Sequence, residues 1–365
     1  NLQIPVYAEM IMGLPGETYK SWIDGLGSLL DSNINNQIFV YQAEVYPNTE
    51  LNEKAYKKKY GIKTLNIELQ ETHCSPKEQK WLKEYQEIVI ETSSMTTKDW
   101  KSRNLFSVSL MVMHSFKVGF YIMNYLKNEM NISGKDFIKY ICDKTNKKQH
   151  PFIYNHLIKR TDNWLNSVLK GKARSIFNPK YSDVYLDIEE IIFLEISKNF
   201  KLFYSELELL MKKLIGKKKW DKNYDAITDI LKYQDLRMPR MNGKNIKEKF
   251  NYNVAEYMFS LTSPKKINLK KHLNTIETVN VSKFDNNYWE FTKKKVIWAR
   301  KSDQIKNEID YDNNIKNILR IEEKNKTNKS NKLNNKYKVD MFNKLNKFKK
   351  YDSLEIKNNR RITNN

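Results

Sequence analysis

Two cysteines, five histidines and a glycine-rich turn are the residues most able to do chemistry in this chain. Cys74 and Cys142 are too few and too far apart for a disulfide framework or a local metal knuckle. His73-Cys74 reads as a metal pair, a thiol–imidazole couple or a plain loop pair, and no second pair at ligand spacing supports the first two. His150 and His156 flank Pro151 at a spacing that puts them on different faces of a helix, which argues against shared ligation. His114 lies in an apolar run, where a hydrogen-bonded core role is expected. Arg237 and Arg240, two of only nine arginines, read as a grip for a carboxylate or phosphate or as an exposed loop. The stripe Met111, Met113, Phe116, Phe120, Tyr121 and Met123 fits core packing before it fits a hydrophobic substrate pocket.

The turn is the most structured of these features. In AEMIMGLPGET, residues 8–18, an apolar strand ends at Gly13, Pro15 and Gly16 shape a tight turn, and Glu17-Thr18 open a helix. Glycines permit positive φ and close backbone approach, and an acid suits a helix N-terminus. Residue chemistry alone leaves the turn open to a ligand role or a purely structural one.

Residues 3–12 read as a strand, and Trp22, Ile23, Leu26, Leu29 and Leu30 give helical spacing from Glu17 to Leu30. QIFVYQAEVY, residues 37–46, reads as a second strand ended by Pro47-Asn48-Thr49. The unit is βαβ, so the strands should be parallel with a right-handed crossover. Two parallel strands need more strands and cover on both faces, so the chain reads as a fragment whose partner strands lie upstream. From Ser75 onward the pattern turns helical. Ser75-Pro76-Lys77-Glu78 predicts a capped helix carrying Trp81, Tyr85, Ile88, Val89 and Thr92 on one face. Further helices are expected at about 98–130, 134–142, 151–169, 186–215 and 222–233. Short strands are expected at 250–259 and 276–283, and a closing helix at 288–300.

AEMIMGLPGET resembles the fifth-strand signature of radical S-adenosylmethionine enzymes. YQAEVYPNTEL resembles that family's sixth strand and the turn after it, with Asn48 at a Gly position that Asn tolerates. EKAYKKKYGIKT and the helical region resemble the subgroup with a cobalamin-binding domain. The resemblance implies an α/β fragment, the last two strands of a partial β/α barrel, over residues 1–64. A mainly α-helical region with a few short strands would follow over 65–300, and a basic Asn/Lys-rich tail over 301–365, disordered from about 324. Carried over by position, Ile11 and Gly13 would lie beside the adenine of S-adenosylmethionine, with Val45 near the same nucleoside. Glu17 would fix the turn, and Glu9 falls where relatives vary.

The family cleaves S-adenosylmethionine to a 5′-deoxyadenosyl radical with a [4Fe-4S] cluster held by a CxxxCxxC loop. This sequence has no such loop, so cluster ligands and any cobalamin domain would lie in the missing N-terminal part of the same polypeptide, which would be the enzyme. The substrate, a small molecule, is not specified, and the resemblance leaves cobalamin use open.

The net charge of +22 comes from 56 Lys against 9 Arg, beside 42 Asn. That skew fits genome composition better than phosphate recognition, which draws on the Arg fork. An RNA-binding or interaction module, or a tRNA-modifying radical enzyme, is the alternative, and nucleic acid is a compatible but unfavoured partner. Leu105–Leu126 has the length of a membrane span, yet His114, Lys117 and Asn124 suit a buried helix. No membrane span and a cytoplasmic setting are expected.

Overall fold

The structure, a computed structural model, describes residues 6–297 except 33, 35, 78–81, 242–245, 262–265 and 279–283. The expected tail therefore lies outside the described residues.

Strand β1, Ala8–Met12, pairs in parallel with β2, Ile38–Gln42, so that Ile11 stands opposite Tyr41 and Met12 opposite Gln42. Helix α1, Tyr19–Asp31, makes the crossover. Thr18 caps it by accepting from the Ser21 amide at 3.1 Å, while the Ser21 hydroxyl accepts from the Thr18 amide at 2.9 Å. This reciprocal pair satisfies two orphan amides of the first turn and fixes where the helix starts. Trp22, Ile23 and Leu26 form its buried face.

The sheet is completed differently from a run of parallel strands. After α2, Lys54–Tyr60, β3, Lys63–Glu68, pairs antiparallel with β4, Tyr85–Glu91. Just beyond β2, Val45 donates to Glu87 O at 2.8 Å and Val89 donates to Ala43 O at 2.9 Å. The β4 edge thus occupies the end of the parallel pair. The expected capped helix is corrected here: residues 75–77 are irregular, 78–81 lie outside the described residues, and Tyr85, Ile88 and Val89 are strand. Ile88-Val89-Ile90 is a β-branched run that packs better on a pleated surface than in a helix, and a paired edge was available to it.

Helix α3, Thr97–Leu110, is capped by Thr96 with Asp99 and continues as a π-helical turn, Met111–Ser115. The expected single helix at 98–130 breaks here, since α4, Phe120–Met130, is bent 93° from it. Lys117 sits at φ 63°, which ends a helix. Gln234, on a later helix, offers its amide to both sides of the break, donating to Lys117 O at 2.7 Å and accepting from the Tyr121 amide at 2.9 Å. Exposed backbone at the bend is thereby satisfied inside the core.

α5, Gly134–Ile141, packs on α1. A Cβ at Gly27 would come within 3.1 Å of Lys135, and one at Gly134 within 3.1 Å of Leu30. The two glycines permit this close approach. α6, Pro151–Ile153, a π segment and α7, Arg160–Val168, form the expected helical run. Strands β5, Ile176–Phe177, and β6, Tyr185–Leu186, precede α8, Ile188–Ser197, and α9, Phe200–Ile215. Asn199 splits these two by capping α9, where a continuous helix was expected.

α10, Lys217–Leu236, carries a kink at Asn223. Its buried Asp229 accepts from the Asn251 and Tyr252 amides at 2.6 and 2.9 Å, docking β7, Ile246–Tyr252. β7 pairs antiparallel with β8, Lys271–Thr278. Val254–Ser260, expected as strand, is helix α11. Val254, Tyr257 and Met258 bury at helical spacing there, which overrides the strand propensity of the segment. β8 starts earlier than expected, and residues 279–283 lie outside the described ones. α12, Tyr288–Thr292, and a π turn to Ile297 close the described chain.

Candidate functional site

Residues on one strand alternate between faces, so Ile11 and its partner Tyr41 share one face of the parallel pair, while Gly13, just past β1, lies against Ala43, just past β2. That face changes character along its length. Ile11 is 50% exposed and Tyr41 44%, whereas Gly13 is buried and Val45 is 6% exposed. The cause is β4: a Cβ at Gly13 would stand 3.5 Å from both Ala43 Cβ and Val89 Cβ. Ile11 is the one predicted nucleoside residue that presents its side chain to solvent. Gly13 contributes backbone at φ +107°, and Val45 backs the covered end through its bond to Glu87. Of the three residues, Ile11 is exposed within β1, whereas Gly13 and Val45 lie just past the strand ends and are buried beside β4.

The open, apolar part of this surface is therefore Ile11 and Tyr41, while Gly13 lies under Ala43 and Val89. Glu17 is half-buried, and desolvation raises its carboxyl against the lowering effect of Arg103. Arg103, on α3, donates to the Glu17 carbonyl at 2.8 Å. Sequence reading missed this arginine, since Lys98 and Lys101 on the same helix are equally cationic and only the fold buries Arg103.

An iron–sulfur cluster does not fit these residues. Burial pushes the Cys142 thiol up to about 12, Cys74 is exposed near Glu71, and a cluster needs several adjacent thiolates. Among the described residues, no group of three or more His, Cys, Asp or Glu could hold a metal ion.

Most of the remaining candidates have structural partners. His73 Nε2 lies 2.9 Å from Glu190 Oε1, a carboxylate with no exposure, and fastens the loop before β4 to α8. His114 Nε2 meets the Ile34 carbonyl at 2.8 Å, and burial lowers its pKa well below the ordinary value. Lys117 Nζ stands 3.8 Å above the Phe120 ring, and burial lowers it to about 7. His150 and His156 are not brought together as a ligand pair: His156 packs at a tilt against Phe152 and faces Glu195, while His150 is buried. Arg240 pairs with Asp235 at 2.7 Å. The Met and aromatic stripe is core, apart from the half-buried Phe116. Among the described residues no single helix is long and apolar enough to cross a membrane.

No family model matches the chain. Its similarity to curated proteins supports a relationship to radical S-adenosylmethionine methyltransferases. The cobalamin-dependent radical SAM methyltransferase TokK of Streptomyces tokunonensis is 30% identical over 141 residues, 38% of this chain and 20% of TokK. The 2-(S-pantetheinyl)-carbapenam-3-carboxylate methyltransferase of Streptantibioticus cattleyicolor is 30% identical over 135 residues, 37% of this chain and 19% of that protein. The aligned part of the chain spans about a fifth of the length of these relatives.

Proposed function

We propose that this chain contributes the nucleoside-binding strands and a helical region to a radical S-adenosylmethionine methyltransferase. Ile11, Gly13 and Val45 would hold the adenosine part of S-adenosylmethionine. The observation that carries this reading is the AEMIMGLPGET turn, which ends a parallel strand whose Ile11 side is open and apolar. When bound, S-adenosylmethionine supplies the methyl group or the radical, while the cluster and any cobalamin would be held by residues outside this sequence. The chain's own part is positional. Ile11 and Tyr41 would exclude water from one side of the nucleoside, and Gly13, having no Cβ, lets Ala43 and Val89 close the end of the site beside it.

Gly13→Val tests this. A valine side chain would press on Ala43 and Val89 and displace the closed end of the site, and a β-branched residue at φ +107° costs roughly 1–3 kcal/mol of backbone strain. Calorimetric titration with S-adenosylmethionine should show affinity reduced at least about tenfold, equivalent to ~1.4 kcal/mol. Gly25→Ala is the control, because a Cβ there meets nothing within 4 Å, unlike one at Gly27. It should leave binding unchanged and stabilise α1 by up to about 1 kcal/mol. Normal binding by folded Gly13→Val would reduce the turn to a purely structural feature.

A further inference from the structure

Arg103 is 0% exposed, yet its guanidinium reaches two backbone carbonyls on separate elements. Nη2 donates to Glu17 O at 2.8 Å and to Ser94 O at 3.3 Å. Glu17 closes the turn after β1, and Ser94 lies in the corner between β4 and α3. One side chain therefore ties the two corners together. Among the described residues, this is the hydrogen bond that anchors residues 13–17 to another element. Nε and Nη1 have no hydrogen-bond partner among the described residues, and the Glu17 and Asp99 carboxylates favour the charge only as neighbouring anions.

A buried guanidinium with idle donors is a poor stabiliser. Its desolvation can exceed its interaction energy, and an apolar residue of similar length is often neutral or better for stability. What an apolar residue cannot do is fix the carbonyl of a turn that contains two glycines at φ +107° and +85° and has wide conformational freedom. We propose that Arg103 is a positioning residue, holding the GLPGET turn in the one conformation that receives the nucleoside and acting only through that turn. The proposal rests on reading the turn as a cofactor site.

The test compares Arg103→Met and Arg103→Lys with the unsubstituted chain by thermal melting, amide hydrogen exchange and titration with S-adenosylmethionine. Arg103→Met should melt within about 3 °C of the unsubstituted chain, since it also removes a costly buried charge with two idle donors. The Thr18 amide, which donates to Ser21 Oγ, should exchange at least about tenfold faster, because the turn opens without global unfolding. Affinity should fall about tenfold. Arg103→Lys keeps a donor and the charge, so it should fall between, and it carries the same comparison if Arg103→Met does not fold. Unchanged exchange in the turn of a folded variant overturns the proposal. So does a loss of affinity that only tracks a lowered melting temperature. If the unsubstituted chain binds no S-adenosylmethionine while Arg103→Met still loosens the turn, positioning stands and the cofactor reading falls.

Discussion

Cys142 is half-buried against the core with its Sγ 3.2 Å from the Ser109 hydroxyl, and burial of the thiol holds it up at about 12. Cys74 is exposed in the loop before β4. Thiolate, not thiol, is the nucleophile, so the two should differ in reactivity by environment alone. A thiol–disulfide reagent at pH about 8 should titrate one group in the folded chain and two after denaturation. Cys74→Ser should abolish the native reaction. Two rapid reactions in the folded chain would show that the Ser109 site opens readily. His73 makes the same point from the opposite side: it sits beside Cys74 in sequence, yet its partner is Glu190, more than a hundred positions away.

At the scale of elements, helix α1 is joined to α5 by Lys135, which donates to Asp24 at 2.9 Å while Lys20 donates to it at 2.7 Å. These two hydrogen bonds bring the Asp24 pKa down to about 2. The folded value lies below the unfolded one of ~3.9, so the charged partner's stabilising contribution is full above that range and is lost as pH falls through about 2. Carbon-detected titration should find this midpoint for Asp24, and Lys135→Met should raise it. A midpoint near the unfolded value would mean the α1–α5 bridge is not kept in solution. Gly61 governs a second junction. It ends α2 at φ 61°, and a Cβ there would come within 3.2 Å of the Ser93 amide, which bonds Tyr60 O. Gly61→Ala should cost about 1–2 kcal/mol for the left-handed conformation, before any displacement of the β4–α3 corner. Chemical denaturation would measure it, and an unchanged midpoint would refute the close approach.

The molecule as a whole joins a parallel strand pair to a large helical region through the antiparallel β3–β4 pair. α3 is the hub of this joint. Its Asn104 accepts from Gln42 at 2.8 Å, and Gln42 in turn accepts from Trp100 at 2.8 Å, so β2 is locked to the helix by a closed polar network. Such buried networks specify one packing when every member is satisfied. The same fold keeps the two thiols apart, which sets the chain's cofactor capacity. Anaerobic reconstitution of the isolated chain with iron and sulfide should yield no stoichiometric cluster absorbance, because a cluster needs several adjacent thiolates. A cluster band lost on replacing Cys74 or Cys142 would overturn that expectation.

Local sequence alone determined the strand–turn–helix at residues 8–31, because a capping residue, paired glycines and 3.6-residue spacing are all signals within a few positions of one another. It also marked α5, α7 and most of α10 on the same grounds. It could not decide Tyr85–Glu91, where one apolar pattern serves strand and helix alike and only the free edge beyond β2 selects the strand. Nor could it find the bend at Lys117, whose exposed carbonyl is tolerable only because Gln234 arrives from α10. At the candidate site, Ile11 and Gly13 came from one motif and Val45 from a second, yet their different exposures follow from β4 closing one end of the parallel pair. Arg103 was invisible for the same reason. Its role depends on two carbonyls from distant turns meeting at one guanidinium, a long-range contact that no window along the chain contains.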